Sequence, residues 1–142
     1  MYLLDTNVIS ELTKQLPSPA VLAWFATTPA EQIYVCSVTL CEMALGLALM
    51  PQGKRRAALL AATNTLVQEE FDGRCLSLDA RAAARYGPLA AARQLQGRPC
   101  SAEDAMIAAI ALANQCALVT RNTKDFEGIA GLKLVDPWGG SA

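Results

Sequence analysis

Short apolar runs alternate along this chain with longer stretches of helical spacing, and turn residues separate the two. Tyr2-Leu3-Leu4 has the pattern of a buried strand that ends in a turn at Asp5-Thr6-Asn7, after which helical spacing begins. Ser18 or Pro19 opens a helix through Val21, Leu22, Trp24 and Phe25, which Thr27-Thr28-Pro29 closes. Ile33-Tyr34-Val35-Cys36 is a second buried strand, and Ser37-Val38-Thr39 leads into a helix carrying Leu40, Met43, Ala44 and Leu47. Pro51-Gln52-Gly53 breaks that helix, and Leu59, Leu60, Leu66, Val67 and Phe71 then recur at helical spacing, so a helical hairpin is predicted. Arg74 to Leu78 is a third strand candidate, and Asp79 caps a helix through Ala92. After the Gly97-Arg98-Pro99 loop comes the clearest helix, Ser101 to Asn114. Ala117 to Thr120 and Leu132 to Val135 complete the pattern as a fourth and a fifth strand.

Strands that alternate with helices predict a mostly parallel sheet, because a parallel neighbour is reached through a helical crossover. The fold class is therefore α/β, and with no repeat or linker in sight, residues 1–142 are expected to form a single domain.

Composition narrows the chemistry. The chain holds 142 residues, 53% of them hydrophobic, which is enough for a core. Its longest uncharged stretches, such as Ala105 to Thr120, run to about 16 residues against the roughly 20 that span a bilayer. With no membrane span and no signal-peptide pattern at Met1-Tyr2-Leu3-Leu4-Asp5, a cytoplasmic protein is expected. Histidine is absent, which removes the usual general base and argues against Ser-His and Cys-His hydrolases. Five cysteines occur without a C-x-x-C pair and read as reduced core residues, not a zinc site. A net charge of −1 argues against coating nucleic acid through overall charge. Local basic groups remain: Arg121 and Lys124 near a candidate loop are candidate substrate contacts, whereas Lys54-Arg55-Arg56 reads as solvated helix surface.

The acids occupy telling places. Asp5 follows strand one, Glu42 is expected in the first turn of the helix after strand two, Asp104 starts the Ser101 helix, and Asp125 lies just past strand four. In an open parallel sheet the carboxyl ends of the strands share one edge, where ligands bind. Helix capping accounts for each acid singly: Thr39-x-x-Glu42, Ser101-x-x-Asp104 and Asn122-x-x-Asp125 fit the N-terminal pattern, and Asp5 fits an Asx-turn. Capping does not account for their coincidence with strand exits. Clustered carboxylates need a counter-charge, and hard oxygen ligands suit Mg²⁺, with Mn²⁺ as a substitute. Such a cation permits phosphodiester hydrolysis without histidine.

Four segments, Tyr2-Leu-Leu-Asp-Thr-Asn-Val-Ile-Ser10, Val38-Thr-Leu-Cys-Glu-Met-Ala-Leu-Gly46, Ser101-Ala-Glu-Asp-Ala-Met-Ile-Ala109 and Thr120-Arg-Asn-Thr-Lys-Asp-Phe126, resemble PIN-domain toxins of the VapC kind, especially the FitB-like branch. The resemblance covers nearly the whole chain. It implies a three-layer domain whose central sheet of four or five strands is flanked by helices. It also implies a metal-dependent endoribonuclease, the toxin of a type II toxin–antitoxin pair, with an acidic pocket at Asp5, Glu42, Asp104 and either Asp125 or Asn122. Asp5 and Asp104 are the implied metal ligands, Glu42 and Asp125 candidates to join them, and Asn7, Thr120 and Asn122 supporting groups. Some FitB-like chains carry an acid where Asn122 stands here. RNA is the implied substrate, a cognate antitoxin the implied partner, and a homodimer the implied assembly. Leu47, Leu49, Leu59 and Leu60 around the hairpin could line a partner groove, although core packing explains the same leucines.

Two other functions compete. A phosphatase with an aspartyl nucleophile would also place Asp5 after strand one, but such enzymes want a second acid two residues on, where Asn7 stands. A non-catalytic partner-binding module on the same fold would not require Asp5, Glu42 and Asp104 together.

Overall fold

Residues 1–139 are described by a computed structural model. Strands β1 (Tyr2–Leu4), β2 (Ile33–Cys36), β3 (Cys75–Leu76), β4 (Ala117–Val119) and β5 (Leu134–Val135) form one sheet in the order β3-β2-β1-β4-β5. Every pairing is parallel, with Leu3 opposite Tyr34 on one side and Leu118 on the other. Helices α1 (Thr6–Leu12), α2 (Pro19–Thr27), α3 (Ser37–Leu49), α4 (Lys54–Thr65), α5 (Ala80–Leu95) and α6 (Ala102–Ala113) flank it.

The two faces follow from the alternation of side chains along each strand. Leu3, Cys36 and Leu118 point to the face covered by α5 and α6, where they meet Ala82, Leu89, Ile107 and Ile110. Leu4, Ile33, Val35 and Val119 point the other way, onto Val8 and Ile9 of α1, Trp24 and Phe25 of α2, and Phe71. This makes the three layers. Burying one such Leu or Ile side chain stabilises the fold by about 1.5–3 kcal/mol. In α6 the consecutive residues Ile107 to Ala111 are all buried. Its alanines let α5 approach closely.

Several boundaries differ from the sequence expectation, each for a local reason. Asp5 does not sit in a free turn: it is the N-cap of α1, and its Oδ1 accepts from the Thr6 N–H at 2.8 Å. Helix α3 starts at Ser37, so Thr39 is inside it and donates its hydroxyl to the Cys36 carbonyl. Glu42 therefore lies in the second turn of α3, not the first. The third strand is only Cys75–Leu76, an edge that pairs with β2 alone. The fifth is only Leu134–Val135. Helix α5 continues past Ala92 to Leu95 despite Pro88 in its interior. The second half of the helical hairpin ends in one π-helical turn, Leu66–Glu70, which carries Phe71 into the core. Of the cysteines, all free, Cys36 and Cys116 are buried, Cys100 is half-buried, and Cys41 and Cys75 are exposed, which corrects the reading of all of them as core.

The strand order decides where a site can form. From β1 the chain builds outward to β2 and β3, then crosses back through α5 and α6 to place β4 on the other side of β1. The direction of winding thus reverses between β1 and β4. The helices that leave neighbouring strands diverge there, and a crevice opens at the carboxyl ends.

Candidate active site

Asp5 stands at that reversal, one residue beyond β1 and only 6% exposed. Thr120, one residue beyond β4 and fully buried, donates its hydroxyl to Asp5 Oδ2 at 2.8 Å. Asn7 links the same groups: its Nδ2 lies 3.3 Å from both Asp5 Oδ2 and Thr120 Oγ1, and its Oδ1 accepts from the Arg121 N–H at 3.2 Å. Burial pushes the Asp5 carboxyl above its usual range, and the charge of Asp125 adds to this, while the bonds from Thr120 and Thr6 pull the other way.

Glu42 reaches the group from α3. Its Oε1 accepts from the Thr6 hydroxyl at 2.7 Å, so Thr6 ties Asp5 through its N–H and Glu42 through its side chain. Asp104 comes from the first turn of α6, where Ser101 is the N-cap and its Oγ accepts from the Asp104 N–H at 3.1 Å. Capping and site placement coincide at this residue, because the cap sets the start of the helix and the start of the helix delivers the carboxylate. Asp104 is pushed up to about 6, first by its own burial and then by the charges of Asp5, Asp125 and Glu42. Asp104 thus feels the other three acids, and Asp5 feels Asp125.

The fourth arm is a single 3-10 turn, Thr123–Asp125, and not a longer helix starting near Asn122. Asn122 makes no side-chain cap bond; its N–H donates to Thr120 Oγ1 at 3.0 Å. Asp125 is exposed and lines a polar cleft of about 380 Å³ together with Asp104, Ser101 and Lys124. The Arg121 side chain lies outside the cleft, its guanidinium 5.0 Å from the Trp138 ring centroid, near the Glu11 carboxyl that bonds from Lys14 and the Ser18 N–H already hold low. Glu103 and Glu127 are exposed and outside the cleft lining.

The acids fit a divalent cation by one test in particular. Among the described residues the ion pairs are Lys14–Glu11 and Arg81–Asp79, so no paired cation offsets the repulsion that Asp104 meets from Asp5, Asp125 and Glu42. Among the described residues no group of three or more acidic or thiol side chains is gathered closely enough to hold a metal ion, which leaves at most two of the acids as direct ligands of one. An open set of carboxylates is what Mg²⁺ accepts, since it keeps several waters and takes one or two protein ligands.

This arrangement can be set against known proteins. The family model described as PIN domain matches residues 2–132. The chain belongs to the PIN-domain family. The VapC ribonuclease Y4jK of Sinorhizobium fredii is 41% identical over 138 residues, covering 97% of this chain and 98% of that protein. Toxin FitB of Neisseria gonorrhoeae is 34% identical over 138 residues, covering 97% of this chain and 99% of that protein. The crystal structure of FitAcB from Neisseria gonorrhoeae superposes with a TM-score of 0.85 at 34% identity, covering 98% of this chain and 99% of that one.

Within this PIN domain, sequence reasoning missed Thr6, Arg93 and Arg98. Thr6 carries no signal apart from its place beside Asp5. Arg93 carries one: it follows Ala82, Tyr86 and Leu89 on the apolar face of α5, where a charged residue is out of pattern. It is 3% exposed, and its guanidinium donates to the carbonyls of Asp125, at 3.1 Å, and Glu127. Arg98 donates to the Lys124 carbonyl at 3.1 Å. The two arginines strap the turn that presents Asp125.

Proposed function

We propose that this PIN domain is a Mg²⁺-dependent endoribonuclease and the toxin of a type II toxin–antitoxin pair. The observation that carries the reading is the convergence of Asp5, Glu42, Asp104 and Asp125, without a paired cation among the described residues, at the point where the sheet reverses direction. Its support from relatives is that proteins alike over nearly their whole length bear the names VapC ribonuclease and Toxin FitB.

Asp5 and Asp104 would hold the cation, with Glu42 and Asp125 completing the acidic set. When bound, it would supply positive charge for the scissile phosphate and acidify water for attack. The chain's own contribution is orientation. Thr120 and the Thr6 N–H fix both oxygens of Asp5, the Thr6 hydroxyl fixes Glu42, and Ser101 fixes the helix start beneath Asp104. A carboxylate held by two donors keeps its rotamer and needs little rearrangement when substrate arrives. The aspartyl-phosphatase reading finds no second acid near Asp5 in the position it requires, because Asn7 is committed to Asp5, Thr120 and Arg121.

The partner in this proposal is an antitoxin, and the assembly a homodimer of the toxin. An apolar groove of about 290 Å³ between α3 and α4, lined by Leu40, Met43, Leu47, Leu60 and Val67, suits an amphipathic segment of such a partner. Of the four leucines expected there, Leu47 and Leu60 line the groove, whereas Leu49, 75% exposed, and Leu59 lie outside its lining. The test is to co-express the chain with the product of its neighbouring open reading frame. A small protein is expected to co-purify and to silence cleavage of single-stranded RNA, and the freed toxin should cut only with Mg²⁺ or Mn²⁺. Full cleavage in excess chelator, or by Asp5→Asn, would defeat the metal mechanism.

A further inference from the structure

A second set of charges faces the cleft that Asp104 and Asp125 share. Arg93, Arg98 and Lys124 line it as well. Carboxylates and cations that share a cleft ordinarily neutralise each other, yet among the described residues no ion pair joins them. The reason is visible in the hydrogen bonds. Arg93 and Arg98 direct donors to the backbone carbonyls of Lys124, Asp125 and Glu127, which hold the guanidinium groups in place without cancelling their charge.

Arg93 goes further. It is buried, and among the described residues no carboxylate pairs with it and its Nε is a buried donor with no partner. An orphaned buried donor costs about 1–3 kcal/mol, so a structural strap alone is a poor account of an arginine at this position. Lys124 and Arg98 are exposed beside it, and the first turn of α6 opens on the same cleft through Ser101. The cleft thus combines fixed positive charge, a helix start and open access, features that suit a phosphate.

We infer that this cleft is a phosphate subsite for RNA: Arg98 and Lys124 contact a backbone phosphate next to the one that is cut, and Arg93 lends charge from below. The inference rests on the nuclease reading above and adds to it how a polyanion approaches four carboxylates. With a net charge of −1 the chain as a whole offers RNA no attraction, so the attraction must be local. Lys54-Arg55-Arg56, the densest basic run in the sequence, opens α4, and Arg56 lines the apolar groove between α3 and α4. It therefore provides a control for diffuse attraction.

The experiment measures the anisotropy of a fluorescein-labelled single-stranded RNA oligonucleotide with full-length Asp5→Asn protein in chelator, as a function of KCl. Single-strand binding loses about 0.7 in the slope of log K against log salt for each phosphate contact removed. Adding Arg98→Ala or Lys124→Ala should reduce the slope by about that amount and weaken binding roughly threefold to tenfold near 100 mM salt. Arg98→Lys should keep most of the slope, and Lys54→Ala with Arg55→Ala should leave slope and affinity unchanged. In the active protein, Lys124→Ala should raise KM more than it lowers kcat, the signature of lost ground-state binding. Unchanged slopes in both cleft variants, or an equal loss in the Lys54/Arg55 variant, would overturn the subsite while parental cleavage leaves the nuclease reading standing. A parent that neither binds nor cuts RNA defeats the nuclease reading, and the subsite with it. Melting curves of each variant separate lost contact from lost fold.

Discussion

Replacing Asp104 by Asn tests whether this residue is placed by the needs of its helix or by those of the acid cluster, because the two demand opposite changes in stability. The Asp104 carboxyl is pushed from 3.8 to about 6 in the folded chain, by burial and then by Asp5, Asp125 and Glu42. At about 1.4 kcal/mol per pH unit, that displacement corresponds to roughly 3 kcal/mol of strain on the ionised form. The group is half-buried, so solvent screening reduces this to about 1–1.5 kcal/mol. The opposing effect is the loss of a charge in the first turn of α6, which costs about 0.3–1 kcal/mol. The Ser101 cap bond goes to the backbone N–H and survives the change. An acid whose folded pKa is raised supports the fold fully below its unfolded value near 3.8, and that support is lost as pH rises through about 6. In chelator at about pH 8, Asp104→Asn should therefore be more stable than the parent by several tenths of a kcal/mol, about 1–3 °C in melting temperature. At about pH 4 the advantage should vanish or reverse. The assay is thermal unfolding by circular dichroism from about pH 4 to 8, with and without Mg²⁺. A variant less stable than the parent by the same margin at every pH would show that the helix alone explains Asp104, and would remove the electrostatic argument for the site.

Thr120→Val removes the one side-chain hydroxyl that, among the described residues, donates to Asp5. It should cost about 1.5–3 kcal/mol, the usual worth of a hydrogen bond to a charged group. It should also move the acid limb of the cleavage–pH profile upward, since Asp5 loses a bond that favours its ionised form; Thr120→Ser should restore both, and an unmoved limb would refute the role. Overexpression of the parent alone should arrest growth, whereas Asp5→Ala combined with Asp104→Ala should be tolerated. Equal harm from the double variant would trace toxicity to something other than RNA cleavage.

The apolar runs at Tyr2 to Leu4, Ile33 to Cys36 and Ala117 to Val119 were legible as buried strands because a parallel strand covered on both faces must be apolar throughout. The α/β class, the helical hairpin and the positions of Asp5, Glu42, Asp104 and Asp125 relative to those strands follow from local pattern, which depends on neighbours within a few residues. The lengths of β3 and β5 did not, because an edge strand extends only as far as it pairs with its single partner, here two residues of β2 and two of β4. The turn at Asn122 to Asp125 also escaped local reasoning: a capping pattern predicts a helix there, but Arg93 and Arg98, from 26 to 34 residues away, hold the segment as one 3-10 turn. Strand order was the decisive gap. Nothing near Leu118 in sequence says that it lies beside Leu3, and yet that pairing brings Thr120 to Asp5 and opens the crevice between them. Local spacing sets what each segment can be. Which strands become neighbours is settled by the burial of both sheet faces at once, a property of the whole chain that only the tertiary structure expresses.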